Sequence, residues 1–201
     1  MCIIPIVDDG HHSEVNQFLS ALGEQLQAQR SPVIEIVVIG GSALIAVGLV
    51  NRATRDVDVV AVLRSGGLQK PQPLPEPLAI ACARIARDFG LPDNWLNTGP
   101  AGLLDFGLPD GFVGRLESHD YGPALRVYFA SRFDQIHFKL YAMADGMAGK
   151  HEVDLRALEP TEDELLTAAR WTLTHDPSDG FRSLLLQALE ALGVQDADLS
   201  A

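Results

Sequence analysis

Two apolar runs, separated by a glycine-rich turn and a short helical stretch, constrain the fold of this chain more than any other feature. The segment from Ile39 to Val60 reads IGGSALIAVGLVNRATRDVDVV. Residues 33–39 and 57–63 are rich in β-branched side chains and are therefore predicted to be buried strands. Residues 42–51, which follow directly after a Gly-Gly pair, are predicted to form a helix. This order predicts two neighbouring strands of one sheet, connected by a helix.

Asp56 and Asp58 stand at the start of the second strand, in an otherwise apolar setting. In a strand, residues i and i+2 point to the same face, so the two carboxylates are expected to project side by side. Since burial of an unpaired charge is strongly unfavourable, the two aspartates either flank an ordinary turn or hold a cation between them. Mg²⁺, which prefers oxygen ligands, fits the second interpretation.

Gly40, Gly41 and Ser42 connect the first strand to the helix. Glycines let the backbone approach a ligand closely, and the first N–H groups of a helix point towards an anion. The same residues could also form only a tight turn. Combined with an aspartate pair on a neighbouring strand, however, they predict a site for a nucleoside triphosphate whose phosphates bridge to Mg²⁺.

Helices and strands alternate along the rest of the chain. Residues 13–30 have the apolar spacing of an amphipathic helix, and Ser13 is its candidate N-cap. Further predicted elements are helices at 77–89, 133–147, 161–173 and 178–192, the last two capped by Thr161 and Ser178, and a strand at 124–130. Residues 153–158 are ambiguous, and the glycine- and proline-rich region 90–123 has no clear element. The predicted fold class is α/β or α+β, with a small mixed sheet flanked by helices.

The length of 201 residues is enough for one domain, or for one domain with an appendage. We expect a core at residues 1–150 and a helical C-terminal extension at residues 151–201 that packs on it. No apolar run approaches the roughly 20 residues that span a bilayer, and the first residues, MCIIPIVDDG, lack the basic region of a signal peptide. The chain is therefore expected to be cytoplasmic and to have no membrane contact.

The formal net charge of −12 is distributed unevenly. Residues 151–201 hold 11 acidic and 3 basic side chains, whereas residues 1–150 hold 16 and 12. A nucleic acid would therefore meet no broad basic surface, although 12 of the 15 basic residues are arginines, which can bind phosphate in a local patch. The acidic surface slightly favours a cationic acceptor over RNA.

The Gly-Gly-Ser motif, followed after 13 residues by Asp-Val-Asp, resembles the signature of the DNA polymerase β-like nucleotidyltransferase superfamily. The longer string GGSAL…NRATRDVDVV, with Arg52 and Thr54 before the aspartates, resembles the AbiEii-like branch, which includes toxins of toxin–antitoxin systems. The segments WLN at 95–97, FKLYA at 138–142 and KHEVDLRAL at 150–158 follow in the order expected for that branch. The resemblance covers roughly residues 13–175.

This resemblance implies a nucleotidyltransferase fold and a Mg²⁺-dependent transfer of a nucleoside monophosphate from a nucleoside triphosphate to a hydroxyl acceptor. The acceptor could be tRNA, a protein side chain or a small molecule. The implied site residues are Gly40, Gly41, Ser42, Arg52 and Thr54 for the nucleotide, Asp56 and Asp58 for Mg²⁺ and catalysis, and Lys139 and Asp154 for catalysis.

Lys139 and Asp154 each have a second interpretation. Lys139 could neutralise charge that builds on the phosphates, or it could be a surface lysine whose stem covers apolar residues. Asp154 could complete the metal site or act as a base, or it could cap a helix or pair with Arg156. No aspartate lies within the predicted strand 124–130, where polymerase-like relatives carry their third carboxylate, so Asp154 is expected to supply it.

Two other functions are compatible with the same residues. A non-catalytic member of a toxin–antitoxin pair would keep the fold and bind a protein partner without turnover. An antibiotic-modifying transferase would carry out the same chemistry on a small substrate. A short regulator gene next to this one, encoding a candidate antitoxin, would favour the toxin interpretation.

Overall fold

A mixed sheet of six strands forms the centre of the described part of the chain. The structure is a computed structural model and describes residues 10–51, 54, 56–65, 67–146 and 149–199, without the side chains of residues 10–13. The strands are β1 (Ile34–Ile39), β2 (Val57–Arg64), β3 (Gly67–Gln69), β4 (Leu96–Asn97), β5 (Glu117–Asp120) and β6 (Leu125–Phe129). Their order is β3-β2-β1-β6-β5, and β4 pairs with the start of β2. Arg52, expected at the nucleotide site, lies outside the described residues.

The register of the sheet brings three chain segments together at one point. Strands β1 and β2 are antiparallel, with Ile39 opposite Asp58. Strands β2 and β4 are parallel, with Asp58 opposite Asn97. The end of β1, the start of β2 and the short strand β4 therefore meet around Asp58.

Seven helices surround the sheet within the described ranges. They are α1 (Gly10–Ala28), α2 (Gly40–Ala46), α3 (Glu76–Phe89), α4 (Arg132–Ala144), α5 (Lys150–Ala157), α6 (Glu162–His175) and α7 (Asp179–Ala191). Two 3₁₀ helices, Gly99–Asp105 and Phe112–Arg115, lie in the region where the sequence showed no clear element. The mixed sheet and its flanking helices confirm the predicted α/β or α+β class.

Several predicted boundaries need correction. Ser13 is not an N-cap: α1 begins at Gly10, so Ser13 lies within a helix, whereas a cap residue has a non-helical backbone. The helix predicted at 42–51 ends at Ala46, and Gly48 turns the chain away with a φ of 75°. The ambiguous residues 153–158 belong to the helix α5, apart from Leu158, which ends it.

The predicted caps of the last two helices are confirmed. Thr161 accepts a hydrogen bond from the Glu164 backbone, and the Glu164 side chain accepts one from the Thr161 backbone in return. Ser178 accepts a hydrogen bond from the Phe181 backbone. Each cap satisfies a backbone N–H that has no partner inside its own helix.

The two faces of β1 pack against different helices because successive side chains of a strand point to opposite faces. Ile34, Ile36 and Val38 belong to a core shared with α1 and α3. Val37 and Ile39 belong to a second core, which includes Phe138 of α4. Helix α4 also contributes to a third core, made with α5, α6 and α7. The expected division of the chain at residue 150 stays a prediction, since the C-terminal helices share this core with α4.

No helix in the described ranges is both long enough and apolar enough to cross a membrane.

Candidate functional site

A cavity of about 560 Å³ opens where the end of β1 meets the start of β2. Residues from strands, helices and the first 3₁₀ helix line it, although they are far apart in the sequence. Its polar lining includes Gly40, Asp56, Asp58, Asn97, Lys139 and Lys150. Four of these six residues were predicted as site residues, and the fold brings them to one cavity.

Asp58 lies half-buried at the meeting point of β1, β2 and β4. Its Oδ1 accepts a hydrogen bond of 2.9 Å from Nδ2 of Asn97. Burial is the largest cause that raises the pKa of Asp58, and the negative charge of Asp56 raises it further. The hydrogen bond from Asn97 and the positive charges of Lys139 and Lys150 act in the opposite direction. The charged form of this carboxylate would therefore be stabilised by an additional cation.

Gly40 is in contact with Asp58 across the strand end. Its φ is +77°, and a Cβ atom at this position would overlap Oδ2 of Asp58. Its backbone N–H donates to Oε1 of the buried Gln135 on α4, at 3.0 Å. A glycine is thus required here both by the backbone conformation and by the close approach of a carboxylate.

Asp56 is exposed and lines the cavity next to Asp58. Oγ1 of Thr54 donates a hydrogen bond of 2.5 Å to Oδ1 of Asp56. Thr54 itself does not line the cavity, so its expected contact with a nucleotide stays a prediction.

Lys139 and Asp154 form a buried ion pair. Nζ of Lys139 lies 2.6 Å from Oδ2 of Asp154, and the two side chains are 3% and 1% exposed. Lys139 lines the cavity, whereas Asp154 lies behind it and does not. The interpretation of Lys139 as a surface lysine is therefore wrong. The pairing of Asp154 with Arg156 is also wrong, because Arg156 pairs with Glu152 instead.

Gly41 and Ser42 are buried and do not line the cavity. Ser42 is fully buried, and its Oγ has no hydrogen-bond partner among the described residues. Of the three residues predicted to cradle the triphosphate, only Gly40 borders the cavity. The role of the other two in nucleotide binding stays a prediction.

Sequence reasoning assigned no role to several lining residues. Asn97 belongs to the WLN segment and Lys150 opens the KHEVDLRAL segment, so both lie in segments that carry the family resemblance. Phe106 lies in the region 90–123, where no element could be predicted. Tyr141 belongs to the FKLYA segment and His175 to none of the quoted segments, and neither carries a signal that separates a lining residue from a core residue.

The oxygen donors at the start of β2 fit Mg²⁺ shared with a substrate, rather than a metal enclosed by protein. Among the described residues, no group of three or more His, Cys, Asp or Glu side chains could hold a metal ion. Asp56 and Asp58 supply two carboxylates, and the close fit of Gly40 against Asp58 fixes one of them. Mg²⁺ is commonly bound by one or two carboxylates together with phosphate oxygens and water.

The six-stranded mixed sheet and its flanking helices are consistent with a nucleotidyltransferase-like α+β fold. Residues 15–148 match the model of a family described as nucleotidyltransferase of unknown function (DUF6036). The match spans well over half of the chain and includes the sheet and most of the cavity lining, so the chain belongs to this family. Searches of curated proteins and of solved structures gave no match.

Proposed function

We propose that this protein is a Mg²⁺-dependent enzyme that transfers a nucleoside monophosphate from a nucleoside triphosphate to a hydroxyl acceptor. The observation that carries the proposal is the shared cavity of Asp58, Lys139 and Gly40, which come from β2, α4 and the start of α2. Membership of a nucleotidyltransferase family supports the same reaction class.

Asp56 and Asp58 would hold the metal. When bound, Mg²⁺ would offset negative charge on the phosphates and increase the acidity of an acceptor hydroxyl. The protein itself contributes rigidity, because Asn97 holds one oxygen of Asp58 and Gly40 leaves room for the other. A carboxylate that is fixed before the substrate arrives does not need to be ordered during the reaction.

Lys139 would act on the phosphates. Lys139 lines the cavity, and its amine is held by the buried Asp154. In the proposed reaction the acceptor hydroxyl loses its proton to solvent, and its oxygen bonds to the α-phosphorus. The bond between this phosphorus and the oxygen that bridges it to the β-phosphate breaks, and pyrophosphate leaves. The negative charge on the leaving pyrophosphate would be stabilised by Lys139 and by the exposed Lys150.

The proposed acceptors follow from the resemblance of the sequence to the AbiEii-like branch. A tRNA 3′ end or a protein side chain would make the protein the toxin of a toxin–antitoxin system, with an antitoxin as its partner. A small cationic acceptor, such as an aminoglycoside-type antibiotic, would fit the net charge of −12 better than RNA does.

A non-catalytic binding protein is the second candidate function. It is favoured by the side chains of β6, which reads LRVYF and carries no carboxylate beside β1. Such a protein would bind a nucleotide or a protein partner in the same cavity without turnover.

The test is the transfer of label from α-³²P-labelled nucleoside triphosphates to a cell extract separated into RNA, protein and small-molecule fractions. Label in one fraction, dependent on Mg²⁺ and lost in Asp58→Asn, supports the enzyme and identifies its acceptor class. Binding of triphosphate without label in any fraction favours the non-catalytic protein.

A further inference from the structure

The lining of the cavity also includes aromatic rings that the proposed transfer chemistry does not use. Phe106 follows the first 3₁₀ helix, Tyr141 lies on α4 and His175 ends α6, and all three line the cavity. The ring of His175 lies 5.5 Å from that of Phe106 and 5.5 Å from that of Tyr141, measured between centroids. Three separate elements thus bring their rings into one aromatic wall.

The aromatic wall is held in place from behind by Trp171. Its ring lies 4.2 Å from that of His175, and its Nε1 donates to the backbone oxygen of Gly107 at 3.2 Å. This hydrogen bond connects α6 to the residue that follows Phe106. Burial lowers the pKa of His175, which favours the neutral form of its imidazole. The wall is therefore both anchored and uncharged.

Phe106 differs from the other members of the wall in its exposure. It is 62% exposed, although it is a large apolar residue. Phe106 is therefore the ring of the wall with the most surface available to a planar ligand, and aromatic rings prefer offset-stacked or edge-to-face partners.

We propose that the aromatic wall of Phe106, Tyr141 and His175 is the subsite for the base of the nucleoside triphosphate. This inference rests on the proposed function, since it assigns further lining residues of the same cavity to the triphosphate. The carboxylates, Lys139 and the three rings line one cavity of about 560 Å³. Ligand pockets of roughly 300–1,000 Å³ with an apolar lining and a few polar groups are typical of small-molecule sites.

The subsite is expected to accept all four bases. Stacking on an aromatic side chain is available to every base, because every base has a π-face. The acidic group nearest to Phe106 in the sequence, Asp105, is already paired with Lys70 at 2.6 Å. Stacking alone would discriminate only weakly between the four bases, so similar affinities for the four nucleoside triphosphates are expected.

The experiment measures the affinity of the full-length protein for each nucleoside triphosphate and for inorganic tripolyphosphate, by calorimetry in the presence of Mg²⁺. Phe106→Ala is compared with wild type and with Phe89→Ala. Phe89 is a matched control because it is also a partly exposed phenylalanine, packs against Phe18, and does not line the cavity. Phe106→Ala is expected to lower the affinity for each of the four nucleoside triphosphates about tenfold relative to the affinity for tripolyphosphate. Phe89→Ala is expected to leave this ratio of affinities unchanged.

An unchanged ratio in Phe106→Ala would overturn the base subsite and leave the triphosphate site intact. An equal loss of affinity for the nucleoside triphosphates and for tripolyphosphate would also overturn it, because Phe106 would then act on the fold or on the binding of the phosphates. If wild type binds none of the triphosphates, the proposed function itself fails, and the subsite fails with it. Restoration of affinity in Phe106→Tyr, which keeps the ring, would support stacking.

Discussion

Nζ of Lys139 lies 2.6 Å from Oδ2 of Asp154, and both side chains are almost completely buried. Asp154 was expected to complete a metal site or to act as a base. In the structure it is the partner of a lysine and does not line the cavity. We infer that its contribution to the reaction is to hold the amine of Lys139 towards the substrate.

The first prediction concerns removal of this carboxylate. Asp154→Asn keeps the shape of the side chain but leaves the buried ammonium of Lys139 without its charged partner. Removing one partner of a buried pair lowers the free energy of unfolding by about 3–5 kcal/mol, and we expect a loss of this size in urea unfolding. Glu152→Gln, on the same helix, breaks a surface pair and is expected to cost about 0.5 kcal/mol or less.

A double variant separates stability from activity at this pair. Lys139→Met combined with Asp154→Leu removes both charges and replaces them with apolar side chains, which is often neutral for stability. We expect near wild-type unfolding and no nucleotide transfer. Transfer at the wild-type rate in this variant would show that Lys139 has no catalytic role.

The second prediction concerns Gly40. Gly40→Ala and Gly48→Ala both place a side chain at a positive φ, and each is expected to cost about 1–2 kcal/mol for this reason. At Gly48 nothing lies within 4 Å, whereas at Gly40 the new methyl group would meet Oδ2 of Asp58. Gly40→Ala should therefore also weaken Mg²⁺-dependent binding of triphosphate, and Gly48→Ala should not. Equal binding by the two variants would contradict the contact between Gly40 and Asp58.

The third prediction concerns the loss of folding stability at acidic pH. The hydrogen bond from Arg132 is the largest cause that lowers the pKa of Glu164 in the folded state. The ionised carboxylate therefore stabilises the fold above its ordinary pKa of 4.5, and this contribution is lost as the pH falls through the lower folded-state value. Glu164→Gln should lower the melting temperature at pH 7 and have less effect at low pH.

The control for this prediction is Glu162→Gln, which removes a carboxylate from the same first turn of α6. Among the described residues Glu162 makes no ion pair, so its replacement should change the melting temperature much less. A similar effect of both variants at every pH would mean that the pair between Arg132 and Glu164 does not stabilise the folded state.

The elements around the aspartate pair were predictable because their signals are local. β-branched runs, the Gly-Gly turn and the Asp-Val-Asp string all lie within one short segment. Likewise, the caps Thr161 and Ser178 depend on bonds to residues three positions away. Such signals survive in a single sequence because each residue and its partner are close along the chain.

The rest of the site depends on contacts that no local pattern shows. Asn97 reaches Asp58 through a two-residue strand, which is too short to give a periodic signal. Phe106 lies in a region of 3₁₀ helices, whose residues lack the spacing of an α-helix. Lys139 and Asp154 are 15 positions apart on two different helices, so their pairing depends on how α4 and α5 pack.

The fourth prediction concerns Asp58 in the absence of metal. Burial and Asp56 raise the pKa of Asp58, which means that the environment disfavours its charged form. Asp58→Asn removes the charge and keeps the shape, so metal-free stability should stay level or rise. If the carboxylate only capped a turn, the same substitution would instead lower the free energy of unfolding by about 0.5–2 kcal/mol. Thermal unfolding of wild type and Asp58→Asn in EDTA distinguishes the two cases.

The most direct test of the central claim is the melting temperature of wild type and Asp58→Asn with each of the four nucleoside triphosphates, with Mg²⁺ and in EDTA. A ligand at a hundredfold excess over its Kd stabilises the folded state by about 2.7 kcal/mol. We predict a clear rise for wild type with triphosphate and Mg²⁺, a much smaller rise in EDTA, and almost none for Asp58→Asn. No rise for wild type with any of the four, or an equal rise in Asp58→Asn, would contradict a triphosphate site at these carboxylates.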